Sequence, residues 1–327
     1  MNSRLSLALA AGAVILPAAG RIGLLRPPAD LDLDGLPADR LVVQHGFRPD
    51  AAAFEARGVP VSTGFDGPIA CAIVFAARAK ALTLALLAQA FTAVGPGGLV
   101  ILDGAKGDGV DSVIKLLRGV TTLGEVHAKA HGKCVGFPAP DIVPAGWSAL
   151  PGRVDGFETV AGVFSADGVD PGSALLAEYL GGLSGKVCDL GAGWGYLAHR
   201  VLQSDKVTGV ALVEAEQDAL DCARRNVTDP RASFHWADAT IWTGGPFDVV
   251  VSNPPFHASR KADAGLGQAF IAAAARLSTP RGRLLMVANR HLPYEATVRE
   301  MFADLSVLTD RDGYKVIEAT RPKRRKT

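Results

Sequence analysis

With 327 residues the chain is too long for one ordinary domain and fits two of about 150 to 170 residues, each large enough to close its own core. Its 34 basic residues nearly cancel its 33 acidic ones, so no global field announces a nucleic-acid partner, while a local basic patch stays open. Four widely spaced cysteines, Cys71, Cys134, Cys188 and Cys222, form no CxxC pair, which argues against a disulfide framework or a zinc site and for buried, reduced thiols in a cytoplasmic protein.

Arg4 and the apolar run over residues 5–16, followed by Pro17-Ala18-Ala19-Gly20, mimic a secretion signal. The run is alanine-rich, too short to span a membrane, and leads directly into a second apolar run, so it reads as part of the folded chain. From residue 20 to about 135 short apolar runs alternate with helical ones, the pattern of a parallel sheet flanked by helices. Strands are predicted at 21–25, 40–43, 69–75 and 98–102. A helix over 80–94 is stopped by Gly95-Pro96-Gly97-Gly98.

The second half repeats this paragraph. Gln89-Ala90-Phe91, Pro96, Gly98 and the strand to Leu102 parallel Gln268-Ala269-Phe270, Pro280, Gly282 and the strand to Ala288. The period is a whole domain, which implies duplication and not a solenoid. Residues 138–156, rich in Pro and Gly, read as a linker between domains at 1–137 and 157–327. In the second domain strands are expected at 186–188, 207–213, near Phe234, at 247–251, 283–288, 306–309 and 314–319, with helices at 196–203, 216–226, 265–277 and 295–302. The turn over 310–313 closes the last two strands into a hairpin, so one strand runs antiparallel. The expected class is α/β: two tandem Rossmann-like domains, each a mostly parallel sheet flanked by helices, the second seven-stranded.

Chemistry concentrates in the second domain. Asp189-Leu190-Gly191-Ala192-Gly193-Trp194-Gly195 lies between a strand and a helix, and Gly191, Gly193 and Gly195 give the clearance for a ligand to approach backbone. The third glycine comes one residue sooner than in the dinucleotide fingerprint. Asp189 suits an ammonium and would repel a pyrophosphate; Glu214, ending the next strand, is placed for ribose hydroxyls; Asp238, ending the third, for an adenine amine. An amino-acid head, a ribose and an adenine together describe S-adenosylmethionine. Asn253-Pro254-Pro255-Phe256 follows a buried strand, and its two prolines stiffen the exit. Asn253 Oδ1 and the Pro254 carbonyl can accept the two N–H groups of a planar amine, and Phe256 offers a face for stacking a base. His257 reads as a packing or RNA contact, since such a site needs no base. Pro255 borders the same substrate space, and Asn289, at the next strand end, suits either a contact with the base edge or a cap for the helix that follows. The first domain has Ala76-Ala77-Arg78-Ala79 where the repeat would place this tetrapeptide, so its role reads as structural or substrate-positioning.

These residues bear a resemblance to a family. Phe164 with Gly168, Asp170, Gly172 and Ser173, the loop 189–195, Ser252-Asn253-Pro254-Pro255-Phe256-His257, and Val287-Ala288-Asn289 with Leu292-Pro293-Tyr294 make the chain similar to the bacterial ribosomal RNA guanine-N2 methyltransferases, the small-subunit members with two tandem domains, only the C-terminal one active. The resemblance implies methyl transfer from S-adenosylmethionine to N2 of a guanine in small-subunit ribosomal RNA. It also implies that Phe164, Asp170 and Asn253 border the cofactor, and that RNA or a small ribosomal subunit is the partner. No metal and no membrane are expected, and a monomer is. After His257 the chain reads Ala258-Ser259-Arg260-Lys261 where the family often has Asp-Gly. Two rivals stay open from the residues alone: another planar amine, such as DNA adenine N6 or a protein glutamine amide, and a non-catalytic RNA-binding assembly factor. The tail 321–326 carries five cations that suit phosphates or solvent.

Overall fold

The computed structural model describes residues 4–149, 151–255 and 264–323. Phe256, His257 and the end of the basic tail lie outside them. The chain divides into two compact units, Met1–Pro151 and Gly152–Thr327.

The first unit holds α1 (Arg4–Ala10), β1 (Ile22–Leu25), β2 (Leu41–Gln44), α2 (Arg48–Ala56), β3 (Val61–Ser62), β4 (Cys71–Phe75), α3 (Lys80–Val94), β5 (Leu99–Ala105), α4 (Val110–Leu117), β6 (His127–Lys129) and β7 (Gly132–Pro138). Its sheet runs β3-β2-β1-β4-β5-β7-β6, parallel through β5, with β7 antiparallel to both neighbours. Every residue of β1 and β4 is buried, as continuous apolar strands covered on both faces must be. Gly95, at φ 74°, ends α3 by donating its N–H to Phe91 O. The apolar run that mimics a leader forms α1, with Leu5 and Ala8 buried in this unit's core. Arg4 Nε donates to Asp103 Oδ1 at 2.7 Å. Burial pushes the Asp103 carboxyl up, and the Arg4 charge pulls it back.

Arg4→Met should therefore lower stability at pH 7.5 by about 3 kcal/mol in urea unfolding, because it strands a buried carboxylate. Since the Asp103 pKa lies above its unfolded value, and higher still without Arg4, the deficit should shrink toward pH 5. A second substitution, Asp103→Asn, should restore most of it.

The second unit holds β8 (Gly152–Val154), β9 (Phe157–Thr159), α5 (Pro171–Ala177), β10 (Gly185–Leu190), α6 (Tyr196–Val201), β11 (Val207–Glu214), α7 (Gln217–Asn226), β12 (Ala232–Trp236), β13 (Phe247–Ser252), α8 (Ala264–Leu277), β14 (Ser278–Asn289), α9 (Tyr294–Met301), β15 (Phe302–Arg311) and β16 (Tyr314–Pro322). Its sheet order, β12-β11-β10-β13-β14-β16-β15, is that of the first unit, again with one antiparallel strand, β16. The hairpin closes through Asp312 and Gly313, both at positive φ.

Three strand features went unpredicted, the first being the short parallel edge strand β3. The first unit has its own β6–β7 hairpin, and β8 pairs with β9 as a separate two-stranded sheet. Of the stretch read as a linker, Ala139 and Trp147 are buried in the first unit's core while residues 152–154 form β8. All four cysteines are free and buried, and burial pushes the thiols of Cys71 and Cys134 up to about 12. No helix among the described residues is long and apolar enough to cross a membrane.

Candidate active site

The site gathers at the C-terminal ends of β10, β11 and β13, the side on which open α/β sheets leave a crevice. The loop after β10 is held to β11 by the N–H groups of Gly191 and Ala192, both donated to Val213 O. Its three glycines have different reasons. A Cβ on Gly191 would sit 3.0 Å from the Phe270 ring, and one on Gly195 2.9 Å from Val227 of the α7 C-cap; at Gly193 it would meet nothing within 4 Å. Gly191 and Gly195 thus serve packing, and Gly193 faces open space that a ligand can occupy.

Asp189 is wholly buried on β10. Its Oδ2 accepts the Ala198 N–H at 2.9 Å, while Oδ1 has no partner among the described residues. Burial pushes its pKa up to about 7; the Ala198 N–H lowers it and the charge of Glu214 raises it. A buried carboxylate oxygen left unpaired costs about 1–3 kcal/mol and is the kind of defect a cationic ligand relieves. Glu214 is also raised, chiefly by burial, and its oxygens accept the N–H groups of Gly193 and Glu216 at 2.7 and 2.8 Å. Ribose hydroxyls would have to share these oxygens, so Glu214 also braces the glycine loop. Asp238 falls two residues beyond β12, and its Oδ1 accepts from the N–H and hydroxyl of Thr240. Among the described residues no hydrogen bond joins it to Asn253.

Asn253 follows β13, whose last residue, Ser252, donates its hydroxyl to Leu190 O at 2.6 Å and ties β13 to the start of the glycine loop. Asn253 Nδ2 donates to Asp170 Oδ2 and Ser173 Oγ, each at 2.8 Å. An ionised carboxylate only accepts, so the group facing Asp170 must be the NH2 and the amide orientation is fixed by chemistry. Asn253 Oδ1 is then buried without a partner among the described residues. Pro254 is buried and Pro255 exposed. Asp170 is the N-cap of α5, accepting the Ser173 N–H at 2.8 Å.

One cleft joins Phe164, Asp170, Ser173, Gly191, Gly193 and Asn253. Phe164 is 60% exposed there, and its carbonyl accepts the Trp194 Nε1 proton. The strap before α5 is fastened to the glycine loop a second time by Asn226, whose Nδ2 donates to Glu158 O and Trp194 O. Trp194, Asn226 and Ser173 carried no role in the sequence reading. Only Ser173 left a signal, as the third residue after a helix-capping Asp. Asn289 ends β14 opposite Tyr314, and among the described residues no hydrogen bond joins its side chain to Asn253. Among the described residues no cluster of His, Cys, Asp or Glu could hold a metal ion.

The equivalent corner of the first unit carries different residues. Arg26, at φ 54°, donates its N–H to Gln44 O as Gly191 does to Val213 O. Pro27 and Pro28 then stand where Ala192 and Gly193 do, so the donor equivalent to the Gly193 N–H is gone. His45 replaces the acid: its Nδ1 accepts the Phe47 N–H, which puts the proton on Nε2, 3.0 Å from Pro27 O.

Comparisons with known proteins bear on the family and the fold. Residues 156–318 match the family model described as Methyltransferase small domain. The ribosomal RNA small subunit methyltransferase C of Shewanella oneidensis is 30% identical over 257 residues, 75% of each chain. That of Shewanella loihica is 28% identical over 79% of this chain and 78% of its own. A solved structure titled as the T. thermophilus 16S rRNA N2 G1207 methyltransferase in complex with AdoMet and guanosine superposes with a TM-score of 0.77, at 26% identity, covering 94% of this chain and 90% of that one. Tandem sheets of one topology and a relative 30% identical over 75% of each chain place the chain in the ribosomal RNA small subunit methyltransferase C family.

Proposed function

We propose that the chain transfers the methyl group of S-adenosylmethionine to the exocyclic N2 of a guanine in small-subunit ribosomal RNA, at the position equivalent to the one named for the T. thermophilus protein. The observation that carries the mechanism is the Asn253 amide, locked by its nitrogen and presenting a buried, unpartnered Oδ1 beside Pro254. When bound, S-adenosylmethionine supplies an electrophilic methyl on a sulfonium, and Gly193, Glu214 and the free Oδ1 of Asp189 are the groups that hold it. Asp189 would meet its ammonium, Glu214 its ribose and Asp238 its adenine, with Phe164 beside it.

The guanine amine is a weak nucleophile because its lone pair is delocalised into the ring. Asn253 Oδ1 and the Pro254 carbonyl each accept one of its N–H groups, which favours a pyramidal nitrogen with the lone pair turned to the methyl. As positive charge grows on that nitrogen the two acceptors bind it more strongly, so their contribution belongs to the transition state. The proton then leaves to water, with no base required. From the sequence, Phe256 would stack on the splayed base, His257 would pack or contact RNA, and Pro255 and Asn289 would be further substrate contacts. The protein acts in the cytoplasm and as a monomer.

Incubation with labelled cofactor and small subunits lacking the modification should place label on a single guanine, read by primer extension and mass spectrometry of the nucleoside. Label on adenine, or on a protein glutamine, would refute the reading.

A further inference from the structure

We infer that Asp170 and Ser173 are positioning residues that orient and polarise Asn253, so that the charge of Asp170 reaches the methyl-accepting amine through the Asn253 amide. This rests on the reading of Asn253 given above and deepens it.

A primary amide has two N–H bonds, and the structure supplies two acceptors for Nδ2, Asp170 Oδ2 and Ser173 Oγ, each at 2.8 Å. A flip of the amide would set Oδ1 against a carboxylate at that distance, two acceptors facing each other without a proton. Asp170 is itself immobilised, since the same Oδ2 caps α5 through the Ser173 N–H. Capping needs only that second bond and gives no reason for Asn253 to lie against the same oxygen. A charge-assisted bond to an amide nitrogen draws the amide toward its charge-separated form and enriches Oδ1 in negative charge. Asp170, Asn253 and Tyr314 are each half-buried, the first two lining the cleft. Gly172 allows the ring of Tyr314 to close on this corner: a Cβ there would lie 3.0 Å from both Asp170 Oδ2 and the Tyr314 ring. The Tyr314 hydroxyl is held above its usual range by burial and by the charge of Asp170. No bond forms or breaks at Asp170 and no proton crosses to it; it makes Oδ1 a stronger acceptor as the amine becomes cationic.

Asp170→Asn separates this role from capping, because asparagine caps a helix as well as aspartate and its Oδ1 can still accept both bonds. The expected result is a fall in kcat of about 10- to 50-fold, with the KM for S-adenosylmethionine within about threefold and an unchanged melting temperature. Ser173→Ala leaves the cap carboxylate in place and should cost about three- to tenfold in kcat with the same KM pattern, so it carries the test if Asp170→Asn does not fold. In the folded variants the Asn253 side-chain N–H resonances should move upfield as their acceptors weaken. Wild-type kcat in both variants, beside an inactive Asn253→Ala, would overturn the polarising role alone. Loss expressed only as a raised cofactor KM would make Asp170 a wall of the cofactor pocket and would also overturn it. An active Asn253→Ala would instead overturn the reading of Asn253 itself.

Discussion

Asn253→Ala is expected to lower kcat by about two to three orders of magnitude while S-adenosylmethionine affinity and RNA affinity stay within about threefold, the range seen when one preorganised group facing transition-state charge is removed. The ground-state complex loses little, because the neutral amine binds one carbonyl oxygen no better than it binds water. The transition state loses an acceptor already desolvated and aimed. The wild-type protein bears that cost in advance: Oδ1 is buried without a partner, and Nδ2 is spent on Asp170 and Ser173. Single-turnover methylation of unmodified small subunits, with calorimetry for the cofactor and filter binding for RNA, measures the three quantities separately. Turnover at the wild-type rate would refute the proposed mechanism. A parallel loss of RNA affinity would move Asn253 from transition-state stabilisation to substrate binding.

The sequence carried the architecture because the architecture is local. Alternating apolar runs and helices, glycine stops and an Asp-Gly turn each act within a few residues, and they yielded the parallel strands, α3 and the antiparallel β16. Strand lengths were less legible. β14 begins at Ser278, five residues before the apolar run, through a register shift between Phe247 and Val249 that no local pattern encodes. The β6–β7 hairpin escaped because His127, Lys129 and Lys133 give it little apolar alternation.

In the site, residue types were legible and their partners were not. Asp170 lies 83 positions from Asn253, and only the fold shows that the acid addresses the amide. Asp189 and Glu214 both end strands in the text of the sequence, yet one is wholly buried and the other braces backbone. The difference between the two halves was visible as Ala76 to Ala79 in place of Asn-Pro-Pro-Phe. That His45 occupies the lost acid's place, and two prolines the lost donors', required coordinates.

The second large effect concerns Asp189 and has opposite signs for stability and binding. Burial holds its pKa at about 7, against about 3.9 in an unfolded chain. A group raised on folding favours the folded state at low pH, and that stability is lost as pH climbs from about 4 through 7, amounting to about 4 kcal/mol above pH 8. Asp189→Asn escapes this charging cost but sets amide hydrogens where Oδ1 has no partner, at about 1–3 kcal/mol. The ligand-free variant should therefore be more stable than wild type by about 2 kcal/mol at pH 8 and no more stable at pH 4.5, a crossing that thermal unfolding at several pH values detects. Cofactor binding should go the other way. Below pH 7 the wild-type carboxyl must release a proton to meet an ammonium, so affinity should rise up to tenfold per unit until about pH 7 and level off, then fall above about 8 as the ligand's α-amine deprotonates. Asp189→Asn should bind weakly and lose the acidic limb of that profile while keeping the basic one. Calorimetric affinity unchanged by the substitution would remove Asp189 from the pocket. A variant destabilised at pH 8 would mean instead that Oδ1 is satisfied in the free protein, and the argument for a charge held ready for a cation would fall with it.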